Sequence, residues 1–438
     1  MMGRWQPLRG LWRINQRMEQ WRAMRAIKEA LRVAYPFILV MTLVDVVGQS
    51  FLASSGFFYQ IYHIGSWLPG IDLWQQFFQA LSLVVNGVVA VIVAFTTGHY
   101  LARTYRGDAL AVGVMSALAF LSLNVNYDML GMPNSESEGM SLFVENNLGP
   151  QGIFLAIVVG LAVGWLGSHL MASLTNWQQR HPRFGQMSWA SRVAWPTIFV
   201  LIITVALGYG FSWFTDGGMN DLVYQALSAV VVNPGHRGFM ILGITTLSNI
   251  LWWLGFIGPV SLAGNSSVTS LQNLAYAVQH GSGWDAPNAV TLHTLGDAYA
   301  NFGGAGMTLA LLIAIGLVSK QASYRRVAGQ TFLPNLVNLN EPTLLGLPVL
   351  YNPILLIPFL VAPAVNIVLA WFAITWKLVP PIVYPVPRTT PGPLIAFLGT
   401  GGDWRALLLS LVCLTISVLI YIPFVRLLNH EGGEDHAA

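Results

Sequence analysis

Long runs without a single Asp, Glu, Lys or Arg organise the chain: 46–71, 73–102, 109–127, 146–179, 193–215, 238–284, 298–319, 343–376 and 406–425. A helix crosses the hydrocarbon core of a bilayer in about 20 apolar residues, so these runs supply eight to ten passages. A transmembrane β-barrel would alternate apolar and polar positions in segments of about 10 residues, and the unbroken runs exclude it. The pattern predicts an all-α integral membrane protein with about 8–10 transmembrane helices.

Charge between the runs sets the expected orientation, because short cytoplasmic loops collect Lys and Arg. After a first span near 33–55, loop 56–72 has no basic residue and is expected outside. Arg103 and Arg106 place the turn after a span near 74–98 inside. Loop 125–150 carries Asp128, Glu136, Glu138 and Glu145 with no Lys or Arg and reads as external. Arg180, Arg183 and Arg192 return the chain inside after a span near 151–175, and Lys320, Arg325 and Arg326 mark a further inside loop.

Crossings between those last two loops must be even in number, yet 194–214, 238–257 and 298–319 are three. Either 219–233 or the small, polar stretch 262–281 crosses or dips in, or one of the three fails to cross. Irregular backbone at membrane depth is tolerated only where it is buried in protein or lines a wet cavity, so 262–281 is a candidate re-entrant element. The segment around 337–359 is a second.

Texture divides the chain further. Residues 1–32 form a basic amphipathic segment, 33–214 a cleaner hydrophobic scaffold, 215–428 a part rich in Gly, Pro, Asn and Thr, and 429–438 a polar tail. Broken helices near the midplane are where transporters bind substrate, which directs the search for a site to the second half.

Composition agrees with the pattern. The chain has 438 residues, of which 55% are apolar and only 9% charged, and its mean hydropathy is +0.59. Soluble domains carry about 25% charged residues, so little soluble mass is expected. The first 32 residues hold Arg4, Arg9, Arg13, Arg17, Arg22, Arg25, Lys28 and Arg32 interleaved with Trp5, Trp12 and Trp21. Such a helix either lies on an anionic lipid surface or serves as a leader that orients the protein. Both readings put the N-terminus in the cytoplasm, and no cleavable signal peptide is expected. The basic excess is a membrane feature, so no nucleic-acid partner is expected. A single cysteine, Cys413, lies in an apolar run, leaving neither a disulfide nor a thiol phosphate carrier in this chain.

Glu341 is the leading candidate for chemistry. It is the one carboxylate in "VNLNEPTLLGLPVLYNPILLIPF" (337–359), among Asn338, Asn340 and Asn352 and broken by Pro342, Pro348, Pro353 and Pro358. Those prolines argue against a continuous membrane helix and read as the breaks of a re-entrant element. An ionisable group at membrane depth costs about 2.5–3.5 kcal/mol or more, so it faces a cavity or a partner. A carboxylate with amides suits a hydroxyl-rich ligand; a helix-capping role is the alternative.

Asp45, with Gln49 one turn on, is read as paired with another helix or as a proton site. Asp297, ahead of "NFGGAG" (301–306), is read as a helix cap or a substrate contact. Gly303, Gly304 and Gly306 lack the βαβ context of a dinucleotide fingerprint and suggest close packing. The nine histidines form no metal-ligand spacing, and no metal or cofactor is expected.

The stretch "NLNEPTLLGLP" (338–348), with Asn352-Pro353 and "IPF" (357–359), resembles the N-x-N-E-P-x-x-F-G-x-P signature of enzyme IIC, the membrane permease of the bacterial phosphotransferase sugar-uptake system, in its lactose/cellobiose/chitobiose branch. "VPRTTPGPLIAFLGTGGDWRA" (386–406), "NFGGAGMTLAL" (301–311) and "YIPF" (421–424) resemble further elements of that branch. The resemblance spans about 250–425, with hydropathy alone before it. It implies a homodimeric inner-membrane sugar permease with two re-entrant hairpins and an interface built from N-terminal helices. A glutamate at the position of Glu341 would hydrogen-bond the sugar; Asn338, Asn340, Trp252 and Asp297 are the further candidate substrate contacts. Separate cytoplasmic IIB and IIA subunits would supply the phosphoryl group, since neither domain is present.

The resemblance has departures. The branch's W-x-x-G-I-H-G element reads "WWLGFIG" (252–258), so Ile257 stands where a histidine tied to phosphorylation is expected. Arg388 replaces a Trp, and Leu345 a Phe. A sugar permease is therefore one expectation; a membrane sugar sensor or regulatory partner without phosphoryl transfer is the other. A proton-coupled transporter using Asp45 or Glu341 is a third.

Overall fold

The computed structural model describes residues 9–127, 142–181, 188–214, 238–256, 268–347 and 349–431. Ile257, most of loop 125–150, all of 219–233 and the start of 262–281 lie outside the described residues, so those expectations stop there. The described residues are helical, without a β-strand and with one isolated bridge between Val125 and Phe143.

Among the described residues, six stretches are long and apolar enough to cross a membrane: Arg22–Ile61, Ile71–Thr104, Pro150–Arg180, Trp189–Ser212, Pro353–Thr375 and Trp404–Asn429. The apolar helices Ala109–Leu123, Gly238–Trp253 and Ala305–Val318 are shorter than a full span. This is the all-α membrane fold that the hydrophobic runs predict.

Contacts divide the chain into two compact units, 1–38 with 83–226 and 39–82 with 227–438. In the first, Val89–Thr104, Ala109–Leu123 and Ile153–Arg180 form the core. Small residues let these helices meet closely: an added Cβ at Gly164 would stand 3.3 Å from the Gly98 Cα, and one at Gly160 would stand 2.6 Å from the Thr97 Cβ. Lipid tails are as apolar as the helices, so close backbone approach rather than water exclusion holds them together. Asp108 caps Ala109–Leu123 by accepting from Ala111 N at 3.1 Å, and it also accepts from Trp189 Nε1 at 2.7 Å. Near the basic leader, the Arg22 guanidinium lies 5.0 Å from the centre of the Tyr105 ring.

The second unit carries the Gly/Pro/Asn-rich sequence. Tyr299, Phe302, Met307, Leu311, Phe359 and Tyr421 are fully buried in its core. Two helices run antiparallel through it. Gly238 abuts the Trp371 ring, while at the other end Trp253 Nε1 donates to Asn352 O at 3.1 Å. The segment 292–307 lies along both: Gly296 faces Thr245, Gly306 N donates to Asn249 Oδ1 at 3.2 Å, and Tyr299 O accepts from Asn366 Nδ2 at 3.0 Å. Asn366 also donates to Ser417 Oγ at 3.0 Å, tying Pro353–Thr375 to Trp404–Glu431.

The prolines behave only in part as the sequence predicts. Pro342 and Pro353 sit in the first turns of Glu341–Gly346 and Pro353–Thr375, where a missing N–H costs nothing. Pro348 lies outside the described residues. Pro358 corrects the expectation of a break, because it sits with Pro363 inside the continuous Pro353–Thr375 helix. Transmembrane helices accommodate such prolines because neighbouring groups re-satisfy the freed backbone.

Candidate functional site

The site grows from a glycine-rich turn. Gly303, Gly304 and Gly306 hold φ of 80°, 97° and 71° and Met307 follows at 58°, all in the left-handed region. Space is the second constraint: a Cβ on Gly304 would stand 2.6 Å from Asn340 Cγ, and one on Gly306 2.0 Å from Phe359 Cδ2. The close packing expected of these glycines is therefore seen at all three, and at Gly304 it is packing against the N-x-N-E segment itself.

Asn338 and Asn340 supply the other half of that joint. Asn338 takes φ of 66°, a conformation Asn tolerates better than most residues. Its Oδ1 accepts from Gly303 N at 3.1 Å, and its Nδ2 donates to Thr390 O at 2.7 Å and Arg388 O at 3.0 Å. Asn340 is buried and donates from Nδ2 to Ala305 O at 3.2 Å. Its own carbonyl accepts from Thr343 N and Leu344 N at 3.0 Å each, starting the Glu341–Gly346 helix. Asn335, which sequence reasoning missed, donates to Thr331 O at 2.9 Å and to Thr343 Oγ1.

Glu341 follows this scaffold immediately and differs from it. Its side chain is half-buried, and no described side chain donates a hydrogen bond to it. Asp45 stands near enough to act on it as a like charge. Asp45 is itself buried and accepts from Ser82 Oγ at 2.6 Å, so it is paired with the Ile71–Asn86 helix. Asn352 caps Pro353–Thr375 by accepting from Ile354 N at 2.9 Å.

Trp252 is half-buried in the last turn of Gly238–Trp253. The next residues are stitched to the turn after Glu341: Tyr351 OH donates to Leu254 O at 2.7 Å, and Tyr351 N donates to Trp253 O at 3.3 Å. Asp297 caps no helix. It ends a π-helical turn, His293–Asp297, where its Oδ2 lies 2.9 Å from His293 Nδ1. Sequence reasoning set His293 aside; the four-residue spacing to Asp297 was the available signal. No group of three or more His, Cys, Asp or Glu side chains stands at metal-binding distance among the described residues. Cys413 is buried in Trp404–Glu431.

The structure thus brings Glu341, Asn338 and Asn340 together with the glycine turn. It commits the asparagine amides to framework bonds and leaves a carboxylate open. Such a group can accept hydrogen bonds from a neutral, hydroxyl-bearing molecule.

Residues 28–363 match the family described as Phosphotransferase system, EIIC. The chain is 31% identical over 387 residues to the cellobiose-specific EIIC component of Lactococcus lactis, covering 78% of each protein. It is 24% identical over 422 residues to the oligo-β-mannoside-specific EIIC component of Bacillus subtilis, covering 95% of this chain and 92% of that one. Among solved structures, the diacetylchitobiose transporter ChbC aligns over 98% of this chain and 99% of its own, with 22% identity and a TM-score of 0.44. The extent of the family match decides the assignment: the chain belongs to the phosphotransferase system EIIC family, the sugar permease component of that system.

Proposed function

We propose that this chain carries a disaccharide or short oligosaccharide through the bacterial cytoplasmic membrane and holds it at Glu341. One observation supports this above the rest: the Glu341 carboxylate is half-buried without a side-chain donor, while the amides beside it are bonded into the framework. Relatives whose names specify cellobiose and oligo-β-mannosides support the substrate class. In this reading Trp252 offers a sugar face to stack on, and Asn338 and Asn340 fix the Glu341 backbone. The protein works as a homodimer with its N-terminus in the cytoplasm. Residues 33–214 form the scaffold and interface, and 215–428 carry the sugar on two re-entrant hairpins. Separate IIB and IIA subunits supply the phosphoryl group, and no cofactor takes part.

Binding of labelled cellobiose, lactose and diacetylchitobiose to the purified protein in nanodiscs tests the site. Glu341→Gln is expected to weaken the sugar that binds by about 1–3 kcal/mol, the scale for losing a charged hydrogen-bond acceptor. Unchanged affinity in a folded variant would reduce Glu341 to a capping residue.

Ile257 favours a second reading, a sugar-binding regulator without phosphoryl transfer, because isoleucine can neither donate nor accept a proton. Vesicles reconstituted with and without phosphorylated IIB separate the two. Accumulated sugar phosphate would eliminate the regulator, and binding without flux would eliminate the permease.

A further inference from the structure

Between Thr291 and Gly303 every residue is buried except three, and all three are polar: His293, Asp297 and Asn301. They recur at intervals of four, so they share one face of the segment, while Thr294, Leu295, Ala298, Tyr299, Ala300 and Phe302 are fully buried. The segment belongs to a membrane protein, and an ionisable pair facing hydrocarbon is costly. The stripe therefore faces the protein interior rather than lipid.

Its chemistry is incomplete as it stands. His293 Nδ1 is engaged by Asp297, but His293 Nε2 is buried and lacks a hydrogen-bond partner. The Asn301 side chain forms no hydrogen bond with any described group. Buried polar atoms are nearly always partnered, and an orphan calls for an absent partner. The π-helical turn at His293–Asp297 adds to this, since such turns concentrate at functional sites.

The stripe also leads to Glu341. Asn301 lies two residues before Gly303, which is bonded to Asn338, and four before Ala305, which is bonded to Asn340. Gly296 sits beside Thr245 and Gly306 beside Asn249. Four helical residues separate those two markers, so the Asp297 end stands about 6 Å further along the Gly238–Trp253 axis than the glycine turn. That offset is comparable to one pyranose ring.

We propose that His293, Asp297 and Asn301 form a second hydroxyl-binding row that holds the sugar ring beyond the one at Glu341, and so selects disaccharides over monosaccharides. A carboxylate accepting, an amide doing both, and an imidazole nitrogen matching either role suit a ring bearing several hydroxyls. The row rests on the reading of Glu341 as the sugar site and extends it by one ring.

The experiment measures displacement of the labelled disaccharide that binds best, from cellobiose, lactose and diacetylchitobiose, in nanodiscs holding the full chain. Unlabelled disaccharide and methyl β-glucoside serve as the competitors. Asp297→Asn and Asn301→Ala are each expected to lower the disaccharide-to-monosaccharide affinity ratio at least tenfold, leaving methyl β-glucoside within twofold. If Asp297→Asn does not fold, Asn301→Ala decides alone. Equal weakening of both competitors, or no change in the ratio, overturns the second row. Glu341→Gln run in parallel separates the failures. If it weakens both sugars while the stripe variants keep the ratio, only the second row falls. If the wild-type protein binds none of the three disaccharides, the second row falls together with the sugar-site reading.

Discussion

Gly304→Ala tests how the site is held. The position combines a φ of 97° with a Cβ direction that points into Asn340, 2.6 Å from Cγ and 2.9 Å from Cβ. An L-residue in left-handed backbone costs about 1–2 kcal/mol. Forcing a methyl into a packed interior costs about 1–3 kcal/mol more. Asn340 is buried and bonded to Ala305 O, so it cannot swing aside without losing that bond. The expected loss is about 2–5 kcal/mol in a reversible mixed-micelle unfolding titration, taking these two terms together.

Because Asn340 starts the Glu341–Gly346 helix, disaccharide affinity should fall along with stability. Gly329→Ala is the control: it lies exposed inside Ala322–Leu336, with nothing within 4 Å of an added Cβ. There alanine should stabilise by about 0.5–1 kcal/mol, the helix-interior difference between the two residues. If the two variants unfold alike, the glycine turn does not fix the Glu341 segment and the joint described above is wrong.

Other variants probe the same framework. Asn338→Ala removes three hydrogen bonds and puts alanine at φ 66°, so it should cost about 2–4 kcal/mol in the same titration. Asn338→Gly loses the bonds but keeps the backbone, and should recover about 1–2 kcal/mol of that loss; equal costs would show that the left-handed conformation is not strained there. Tyr421→Phe removes the hydroxyl that donates to Gly306 O from a fully buried ring, at an expected cost of about 1 kcal/mol with sugar affinity retained. Loss of sugar binding in that variant would place the Trp404–Glu431 helix in the site.

Much of the fold was legible because a bilayer imposes one dominant rule. Charge-free runs forecast the helices at 71–104, 150–180, 189–212 and 404–429 within a few residues, whereas the first helix, 22–61, starts well before the span expected near 33–55, and 353–375 begins well inside the run 343–376. Glu341 stood out for the same reason, as a carboxylate where apolar residues are the norm. Pro358 misled, since a helix interrupted in sequence terms continues when its surroundings absorb the missing bond. His293 was overlooked because a histidine gains meaning only from what lies one turn away.

The sequence by itself determined the membrane fold class, the helix positions and the presence of one carboxylate among asparagines. Those follow from local composition and spacing. Only the tertiary structure decided that residues 39–82 group with 227–438, that the Asn338 and Asn340 amides are bonded to a glycine turn more than thirty residues earlier, and that Glu341 is left open. Hydrogen-bond partners distant in sequence are chosen by packing, and identical side chains become framework or binding group according to which partners packing brings within 3 Å.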